Sequence, residues 1–184
     1  MEQWSAIVLA GGRAARLDGA DKAGIEVGGR TLLARALDAL ADAAEVVVVG
    51  DPVATERPVT FVRESPRYGG PAAALLTGLD SLLRPAEQVA VVAVDMPYLT
   101  PATWRRLVAA GAGRDGAVLI GPDGRRQLAL VLATDRLAAI RPDHEAQHGL
   151  ALWRLLGPLE LIEVRGSDQE HRDIDTWADL RDAE

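Results

Sequence analysis

The stretch AIVLAGGRAARLDGADK, residues 6–22, joins a short apolar run to a glycine pair and ends on a lysine. The apolar run predicts a buried first strand, and Gly11 and Gly12 after it permit a sharp turn and close approach of the backbone to a ligand. N–H groups exposed in such a turn form an anion-binding concavity. Arg16 and Lys22 supply cationic side chains for phosphate oxygens. The stretch therefore predicts a site for a triphosphate.

Two well-known phosphate-binding loops do not match this stretch. Lys22 does not directly follow a glycine and no Ser or Thr comes after it, so the stretch is not a Walker loop. The G-x-G-x-x-G spacing of a dinucleotide fold is absent as well. A glycine pair after a strand is by itself equally typical of an ordinary tight turn, so the prediction depends on the stretch as a whole.

The composition limits the classes of function. The 184 residues are 48% hydrophobic and 26% charged, with a formal net charge of -7, and we expect one domain spanning 1–184. An acidic total argues against nucleic-acid binding, which usually shows a basic face. There is no cysteine for disulfides, zinc thiolates or thiol catalysis. Because we find neither a signal-peptide pattern nor an apolar stretch of the ~20 residues that span a bilayer, we predict a cytoplasmic protein with no membrane partner.

Apolar runs alternate with amphipathic stretches along the chain. Strands are predicted at Trp4–Leu9, Val46–Val49, Val59–Val62, Gln88–Val94, Ala117–Ile120, Leu128–Leu132 and Leu159–Val164. Helices are predicted at Thr31–Ala43, Ala72–Leu83 after Pro71, from Pro101 onward, Arg136–Arg141, Leu150–Leu156 and Thr176–Asp182. This order predicts an α/β fold with helices on both faces of a mostly parallel sheet, and a hairpin around the turn GPDG, residues 121–124. Since ligands of such sheets lie beyond the carboxyl ends of the strands, the loops after Leu9, Val62 and Val94 are expected to line one site.

Asp95 directly follows the predicted strand Gln88–Val94, which would hold its carboxylate at the rim of the sheet. A rigid carboxylate there suits Mg²⁺, a hard cation bound by one or two carboxylates together with substrate phosphates. The competing interpretation is a helix cap, but Thr100, just before Pro101, is the better cap. We therefore favour a metal-binding role for Asp95.

Two other polar segments leave alternatives open. Asp173 and Asp175 are two positions apart, so on an extended segment they point the same way and one of them could complete the metal site. Equally, Asp175 or Thr176 could simply cap the last helix. The glycine-rich loop Arg63–Pro71 could hold a nucleobase or ribose, or be an ordinary connection. The three histidines show no metal-ligand spacing and are expected at the surface.

Four motifs together resemble those of the molybdenum cofactor guanylyltransferases. The motifs are LAGG at 9–12 with Arg16, Gly19, Asp21 and Lys22; Gly70-Pro71 with its alanine-rich continuation; VDMPYL at 94–99; and DIDT at 173–176. The resemblance implies a Rossmann-like, three-layer α/β/α nucleotidyltransferase fold with a mostly parallel sheet. It also implies transfer of GMP from GTP to molybdopterin, or a related phosphorylated acceptor, with release of pyrophosphate.

The resemblance further implies roles for individual residues. Those implied in nucleotide binding are Leu9, Ala10, Gly11, Gly12, Lys22, Glu64, Gly70, Pro71 and Asp95. Because the attacking phosphate oxygen is already anionic, catalysis needs mainly positioning and charge neutralisation, which Arg16, Lys22 and Mg²⁺ at Asp95 would supply. Asp175 is the candidate second metal ligand. Transient contact with molybdoenzyme maturation proteins is the expected partner interaction.

The departures from the family pattern concern the acceptor half. Asp173 and Asp175 stand where asparagines are usual, Trp177 replaces the usual proline, Leu128 stands where a Gln-Pro pair commonly has its proline, and His148 stands where a basic residue is expected. Two alternatives therefore stay open. One keeps the chemistry with CTP and molybdopterin, or with a sugar phosphate, although the LAGG form favours GTP because cytidylyl relatives typically have Ala before the final Gly. The other is a nucleotide-binding protein without catalysis.

Overall fold

The computed structural model describes residues 3–11, 21–84 and 86–183. The strands are β1 (Trp4–Leu9), β2 (Glu26–Val27), β3 (Arg30–Thr31), β4 (Glu45–Val49), β5 (Thr60–Val62), β6 (Gln88–Ala93), β7 (Gly116–Ile120), β8 (Arg126–Ala133) and β9 (Leu161–Arg165). The helices are α1 (Leu32–Ala39), α2 (Pro71–Asp80), α3 (Pro101–Gly111), α4 (Thr134–Ala139), α5 (Leu152–Leu155) and α6 (Trp177–Ala183), with 3-10 turns at Lys22–Gly24 and His144–Gln147.

Seven of the described strands form one sheet in the order β5-β4-β1-β6-β8-β7-β9. β1 pairs in parallel with both β4 and β6, and β5 and β9 extend the sheet in the same sense at its two edges. Only β8 is reversed, pairing antiparallel with β6 and β7. The mostly parallel sheet is therefore confirmed, and its carboxyl-terminal rim collects the loops that follow β1, β4, β5 and β6.

Alternate residues of the central strands pack into two hydrophobic cores, one on each face of the sheet. Ala6 and Val8 of β1 pack on the face covered by α1, α3 and α6, whereas Ile7 and Leu9 pack on the face covered by α2, α4 and α5. Strands buried on both faces read as unbroken apolar runs, which explains the valines of β4. The arrangement confirms the three-layer α/β/α fold.

Local signals explain where several elements begin and end. Thr100 caps α3 by accepting a hydrogen bond from the Thr103 backbone N–H, as predicted, and Pro101 takes the first helical position. α1 ends at Ala39 rather than at the predicted Ala43. The predicted hairpin of β7 and β8 lies within the main sheet, while the small β2–β3 hairpin was not predicted. None of the described helices is long and apolar enough to cross a membrane.

Candidate active site

An open cleft of about 1000 Å³ follows the carboxyl ends of β5, β4, β1 and β6, with Leu128 of β8 at its far side. The residues that line it are Leu9, Ala10, Gly11, Asp21, Lys22, Gly50, Asp51, Arg63, Glu64, Arg67, Tyr68, Gly70, Pro71, Ala74, Ala93, Val94, Asp95 and Leu128. The loops after Leu9, Val62 and Val94 meet there, as the sequence predicted. The loop after β4, with Asp51, was missed, although it follows its strand just as Asp95 follows β6.

The backbone after β1 is fixed by both neighbouring strands. Ala10 N–H donates to the Val49 carbonyl at 2.9 Å, and Val94 N–H donates to the Leu9 carbonyl at 3.1 Å. A Cβ on Gly11 would lie 3.5 Å from Glu64 Oε2, so the predicted glycine and carboxylate are neighbours in the cleft. Gly12 and Arg16 lie outside the described residues.

Lys22 lies between two carboxylates. Its Nζ donates to Asp95 Oδ2 and to Asp175 Oδ1, at 2.6 Å in each case. The Lys22 and Asp95 side chains are 17% and 18% exposed, and that of Asp175 is 45% exposed. Three residues that are far apart in the chain, all proposed from the sequence, therefore meet at one point of the sheet rim.

The composition of the sequence also distinguishes Lys22 from the other basic residues. Lys22 is the single lysine among 20 basic Lys and Arg side chains; all the others are arginines. The Lys22 turn is held by Asp21, whose carboxylate accepts a hydrogen bond from the Ala23 N–H at 3.1 Å. A lysine presents a compact ammonium on a flexible stem, whereas an arginine presents a planar fork. The position between two carboxylates suits the ammonium.

The charges in this cluster shift two pKa values. Burial by itself lowers the pKa of Lys22, but the hydrogen bonds to Asp175 and Asp95 outweigh it and hold that pKa above its ordinary value of 10.5. Lys22 is therefore a cation throughout the neutral range. The pKa of Asp173 is raised above 3.8, mainly by partial desolvation and to a smaller extent by repulsion from Asp175 and Asp95, although the residue stays exposed to solvent. Around Lys22, the described residues thus bring one ammonium together with the carboxylates of Asp95, Asp173 and Asp175, while Arg63 and Arg67 also line the cleft.

In the segment before α6, different residues cap the helix and pair with Lys22. Thr176 Oγ1 accepts from the Asp179 N–H at 3.2 Å, while Asp179 Oδ2 accepts from the Thr176 N–H at 2.8 Å, which is a reciprocal cap. Ile174 N–H donates to the Asp95 carbonyl at 2.9 Å. Because Thr176 and Asp179 cap the helix, the Asp175 carboxylate is directed to Lys22 instead.

The loop from β5 to α2 forms another wall of the cleft. Gly70 precedes α2 at φ 89°, a conformation that favours glycine, and Pro71 occupies the first helical turn. The α2 N-terminus has no side-chain cap, so its first N–H groups and its dipole favour an anion. Tyr68 is 67% exposed at φ 58°, and the Arg67 guanidinium lies 5.3 Å from the centre of its ring. This loop therefore offers polar and aromatic contacts to a ligand.

The donor set fits a hard divalent cation only with help from a ligand. Asp95 and Asp175 supply carboxylate oxygens that already face one cation, the ammonium of Lys22, and oxygen ligands are those that Mg²⁺ takes. Within the described part of the chain no group of three or more His, Cys, Asp or Glu side chains could hold a metal. Two carboxylates plus phosphate oxygens would complete such a site. On the acceptor side, Leu128 lines the cleft, whereas His148 is exposed and is not among the lining residues.

A glycine, a lysine and two carboxylates thus lie together at the carboxyl edge of a mostly parallel α/β sheet, where such folds bind their ligands, and the set suits a phosphate-bearing ligand. The family model of the MobA-like NTP transferase domain matches residues 6–163. The chain belongs to this family, which confirms the sequence-based assignment to the nucleotidyltransferases.

Named relatives point in the same direction. A molybdenum cofactor guanylyltransferase of Rhodopseudomonas palustris (strain HaA2) is 38% identical over 142 residues, which cover 66% of each chain. One of Bradyrhizobium sp. (strain ORS 278) is 37% identical over 126 residues, covering 64% of this chain and 59% of the relative. The chain thus spans about 60% to two thirds of the length of these two relatives.

Solved structures share the fold. A 2-C-methyl-D-erythritol 4-phosphate cytidylyltransferase from Thermus thermophilus has a TM-score of 0.76 at 24% identity, covering 100% of this chain and 97% of the other. Molybdopterin-guanine dinucleotide biosynthesis protein A from Archaeoglobus fulgidus has a TM-score of 0.73 at 20% identity, covering 97% and 96%. Rv0371c of Mycobacterium tuberculosis H37Rv, in complex with manganese, has a TM-score of 0.71 at 21% identity, covering 99% and 97%.

Proposed function

We propose that this protein transfers GMP from GTP to molybdopterin, or to a related phosphorylated acceptor, and releases pyrophosphate in a Mg²⁺-dependent reaction. The observation that carries the proposal is the meeting of Lys22 with Asp95 and Asp175 at the rim of the sheet, in the cleft that Leu9, Ala10 and Gly11 also line. The names of the relatives support the choice of donor and acceptor.

The donor nucleotide occupies the cleft between the carboxyl end of β1 and the N-terminus of α2. The backbone of Leu9, Ala10 and Gly11 and the uncapped α2 N-terminus after Gly70 contact the phosphates. Glu64, next to Gly11, and the Tyr68 loop are placed to contact the nucleoside part. Gly12 and Arg16 stay predictions of the sequence, as do a cytoplasmic location and contact with maturation proteins.

Asp95 and Asp175 are the residues that would hold the divalent cation. When bound, Mg²⁺ neutralises phosphate charge and polarises the α-phosphoryl group. A protein with the same fold was solved in complex with manganese, which supports a divalent cation as a ligand of this chain. Lys22 then contributes its own positive charge to the phosphates that arrive between the carboxylates.

The chemistry needs orientation more than proton transfer. An anionic phosphate oxygen of the acceptor attacks the α-phosphorus of GTP in line, the new P–O bond forms, and the bond to the β-phosphate oxygen breaks. Pyrophosphate leaves with that oxygen. No strong general base is required, so Lys22 works as a fixed cation that stabilises the charge of the transferring group.

The direct experiment measures pyrophosphate release with GTP, Mg²⁺ and molybdopterin. We expect release by the unaltered protein and a loss on the order of 10²- to 10³-fold in kcat for Asp95→Asn, the range seen when one group that stabilises the transition state is removed. Asp42→Asn is the matched control, because Asp42 pairs with Arg105 outside the cleft at 2.7 Å.

Parallel reactions separate the alternatives. CTP in place of GTP tests the base, and a sugar phosphate in place of molybdopterin tests the acceptor. Faster turnover with CTP would overturn the base assignment. Nucleotide binding by folded protein without pyrophosphate release for any acceptor would favour the non-catalytic alternative over a transferase.

A further inference from the structure

Glu170 is a buried carboxylate outside the cleft. Its side chain is 6% exposed and accepts three hydrogen bonds: from Thr103 Oγ1, from Arg106 Nη2 at 2.6 Å, and from the Ser167 N–H at 2.7 Å. Among the residues the structure describes, it is the single Asp, Glu, Lys or Arg that is fully buried. A buried charge is costly unless it is fully paired, so its presence calls for a physical reason.

The pairing of Glu170 is strong enough to keep it ionised. Desolvation by itself raises the pKa of Glu170, but the hydrogen bonds from Arg106, Thr103 and Ser167 outweigh it and hold that pKa below 4.5. The carboxylate thus binds α3, through Thr103 and Arg106, to the chain segment that follows β9.

That segment, residues 166–176, crosses the rim of the sheet from β9 to the end of β6. It leaves β9 at one edge of the sheet and reaches the end of β6, three strand positions away, which is about 14 Å at ~4.8 Å per strand. Gly166 N–H donates to the Ile120 carbonyl at the start of the crossing, and Ile174 N–H donates to the Asp95 carbonyl at its end. Between these two points the segment is held by the contacts of Glu170 with α3 and by the Arg172 guanidinium, which lies 5.6 Å from the centre of the Tyr98 ring.

We propose that Glu170 is a positioning residue that holds this segment so that Asp175 faces Asp95 across Lys22. The inference rests on the proposed function for the importance of Asp175. α3 begins six residues after Asp95. By binding α3, Glu170 fixes the position of Asp175 relative to the helix that follows Asp95. Removing the Glu170 carboxylate lets the segment shift at its middle and moves the Asp175 carboxylate away from Lys22.

The single lysine supplies a direct readout. Selective ¹³C-lysine labelling gives one Cε–Hε signal, that of Lys22, and Asp175→Asn defines its position when the charged contact is removed. We expect Glu170→Ala to move the signal toward the Asp175→Asn position, and Glu170→Gln, which keeps the volume but not the charge, to move it less. The double variant Glu170→Ala/Asp175→Asn should superimpose on Asp175→Asn, because a residue that acts only through Asp175 has no further effect.

Asp115→Asn is the matched control for lost stability. Asp115 also accepts hydrogen bonds from an arginine, Arg136 at 2.8 Å, and from a backbone N–H, that of Glu160 at 3.0 Å, but at the opposite rim of the sheet. The Asp115→Asn variant should have a lower melting temperature and an unchanged Lys22 signal.

The variants Glu170→Ala, Asp175→Asn and their combination can also be compared by kcat for GMP transfer. We expect the losses in the two single variants not to add in the double variant.

Three results would overturn the proposal: a Lys22 signal that Glu170→Ala leaves unchanged, one that Asp175→Asn leaves unchanged, or additive losses in the double variant. The NMR measurement needs no turnover. A protein that transfers no GMP would therefore contradict the proposed function while the NMR result still decides the role of Glu170.

Discussion

At the residue scale, the site is a balance of charges around one ammonium. Lys22 pairs with both Asp95 and Asp175, but its single positive charge offsets only one of the two carboxylates, and Asp173 adds negative charge without a salt bridge among the described contacts. Asp173 and Asp175 differ in consequence, because Asp175 has the ammonium as its partner and Asp173 mainly meets like charge.

Asp173→Asn is predicted to stabilise the fold slightly at neutral pH. Because the pKa of Asp173 is raised in the folded state, its ionised form costs free energy above that pKa, and the cost vanishes below the unfolded value of about 3.8. The side chain is exposed, so the gain should stay below about 0.5 kcal/mol. Urea unfolding at pH 7 and at pH 3.5 measures it.

The control for this change is Asp168→Asn, an exposed aspartate on the same segment that lies outside the charge cluster around Lys22. A gain at pH 7 that persists unchanged at pH 3.5 would contradict the electrostatic explanation, because it would not follow the titration of the carboxylate. A loss of stability at pH 7 would contradict the direction of the pKa shift itself.

The candidate residues were predictable to different degrees. Asp95 follows an apolar strand and Lys22 closes the glycine stretch, so strand ends and charge type were enough to select both. The choice between capping and metal binding at Asp175 was not, since a carboxylate before a helix fits both patterns. The folded geometry shows that Thr176 and Asp179 form the reciprocal cap, which leaves the Asp175 carboxylate to pair with Lys22.

At the element scale, the apolar runs identified the strands because parallel strands buried on both faces have no polar alternation to obscure them. The predicted ends of helices were less accurate, because a helix can stop where its tertiary packing stops although the apolar spacing continues. α1 stops at Ala39 although apolar spacing continues, and α5 keeps only Leu152–Leu155. The β2–β3 hairpin has two residues in each strand, which is too short for any periodic signal.

The position of α2 depends on a glycine in its middle. A Cβ on Gly78 would lie 2.5 Å from Ile7 Cγ2 and 3.1 Å from Val49 Cγ2. Helix propensity favours Ala over Gly by about 1 kcal/mol, but neither methyl is the end of a flexible side chain, and overpacking of this kind costs about 1–3 kcal/mol. We predict that Gly78→Ala destabilises the protein and displaces α2 from β1.

The midpoint of urea unfolding measures this effect, with Gly24→Ala as the control because a Cβ there meets no atom within 4 Å. A higher midpoint for Gly78→Ala would show that propensity outweighs the overlap. Since α2 also carries the uncapped N-terminus at the cleft, its displacement should weaken GTP binding in the same variant.

At the scale of the whole molecule, local patterns gave the fold class but not the order of all strands. β8 lies between β6 and β7, although β7 comes first in the chain, and this insertion brings Leu128 to the cleft. The path of residues 166–176 across the rim was equally invisible, because it depends on where β9 sits. The residues proposed for the acceptor side depend on these long-range placements, whereas those proposed for the donor side follow strand ends that the sequence shows directly.

From the net charge of -7 and the carboxylates of the cleft, we expect binding of a nucleoside triphosphate to depend on a divalent cation. The triphosphate alone brings its full negative charge to Asp95 and Asp175, whereas Mg²⁺ neutralises part of that charge. We therefore predict that GTP with Mg²⁺ raises the melting temperature more than GTP alone. At a concentration 100 times Kd the stabilisation is about 2.7 kcal/mol, or roughly 5–11 °C for a chain of this size.

Asp95→Asn should remove most of the Mg²⁺-dependent part of this shift while leaving the smaller effect of GTP alone, because the variant loses a metal ligand and also one repelling charge. CTP with Mg²⁺ at the same concentration should give a smaller shift than GTP. A larger shift with CTP would reassign the base, and equal shifts with and without Mg²⁺ would show that the cation is not held by Asp95 and Asp175. Since the measurement needs no acceptor, it tests the donor half of the site independently of the half that long-range placements form.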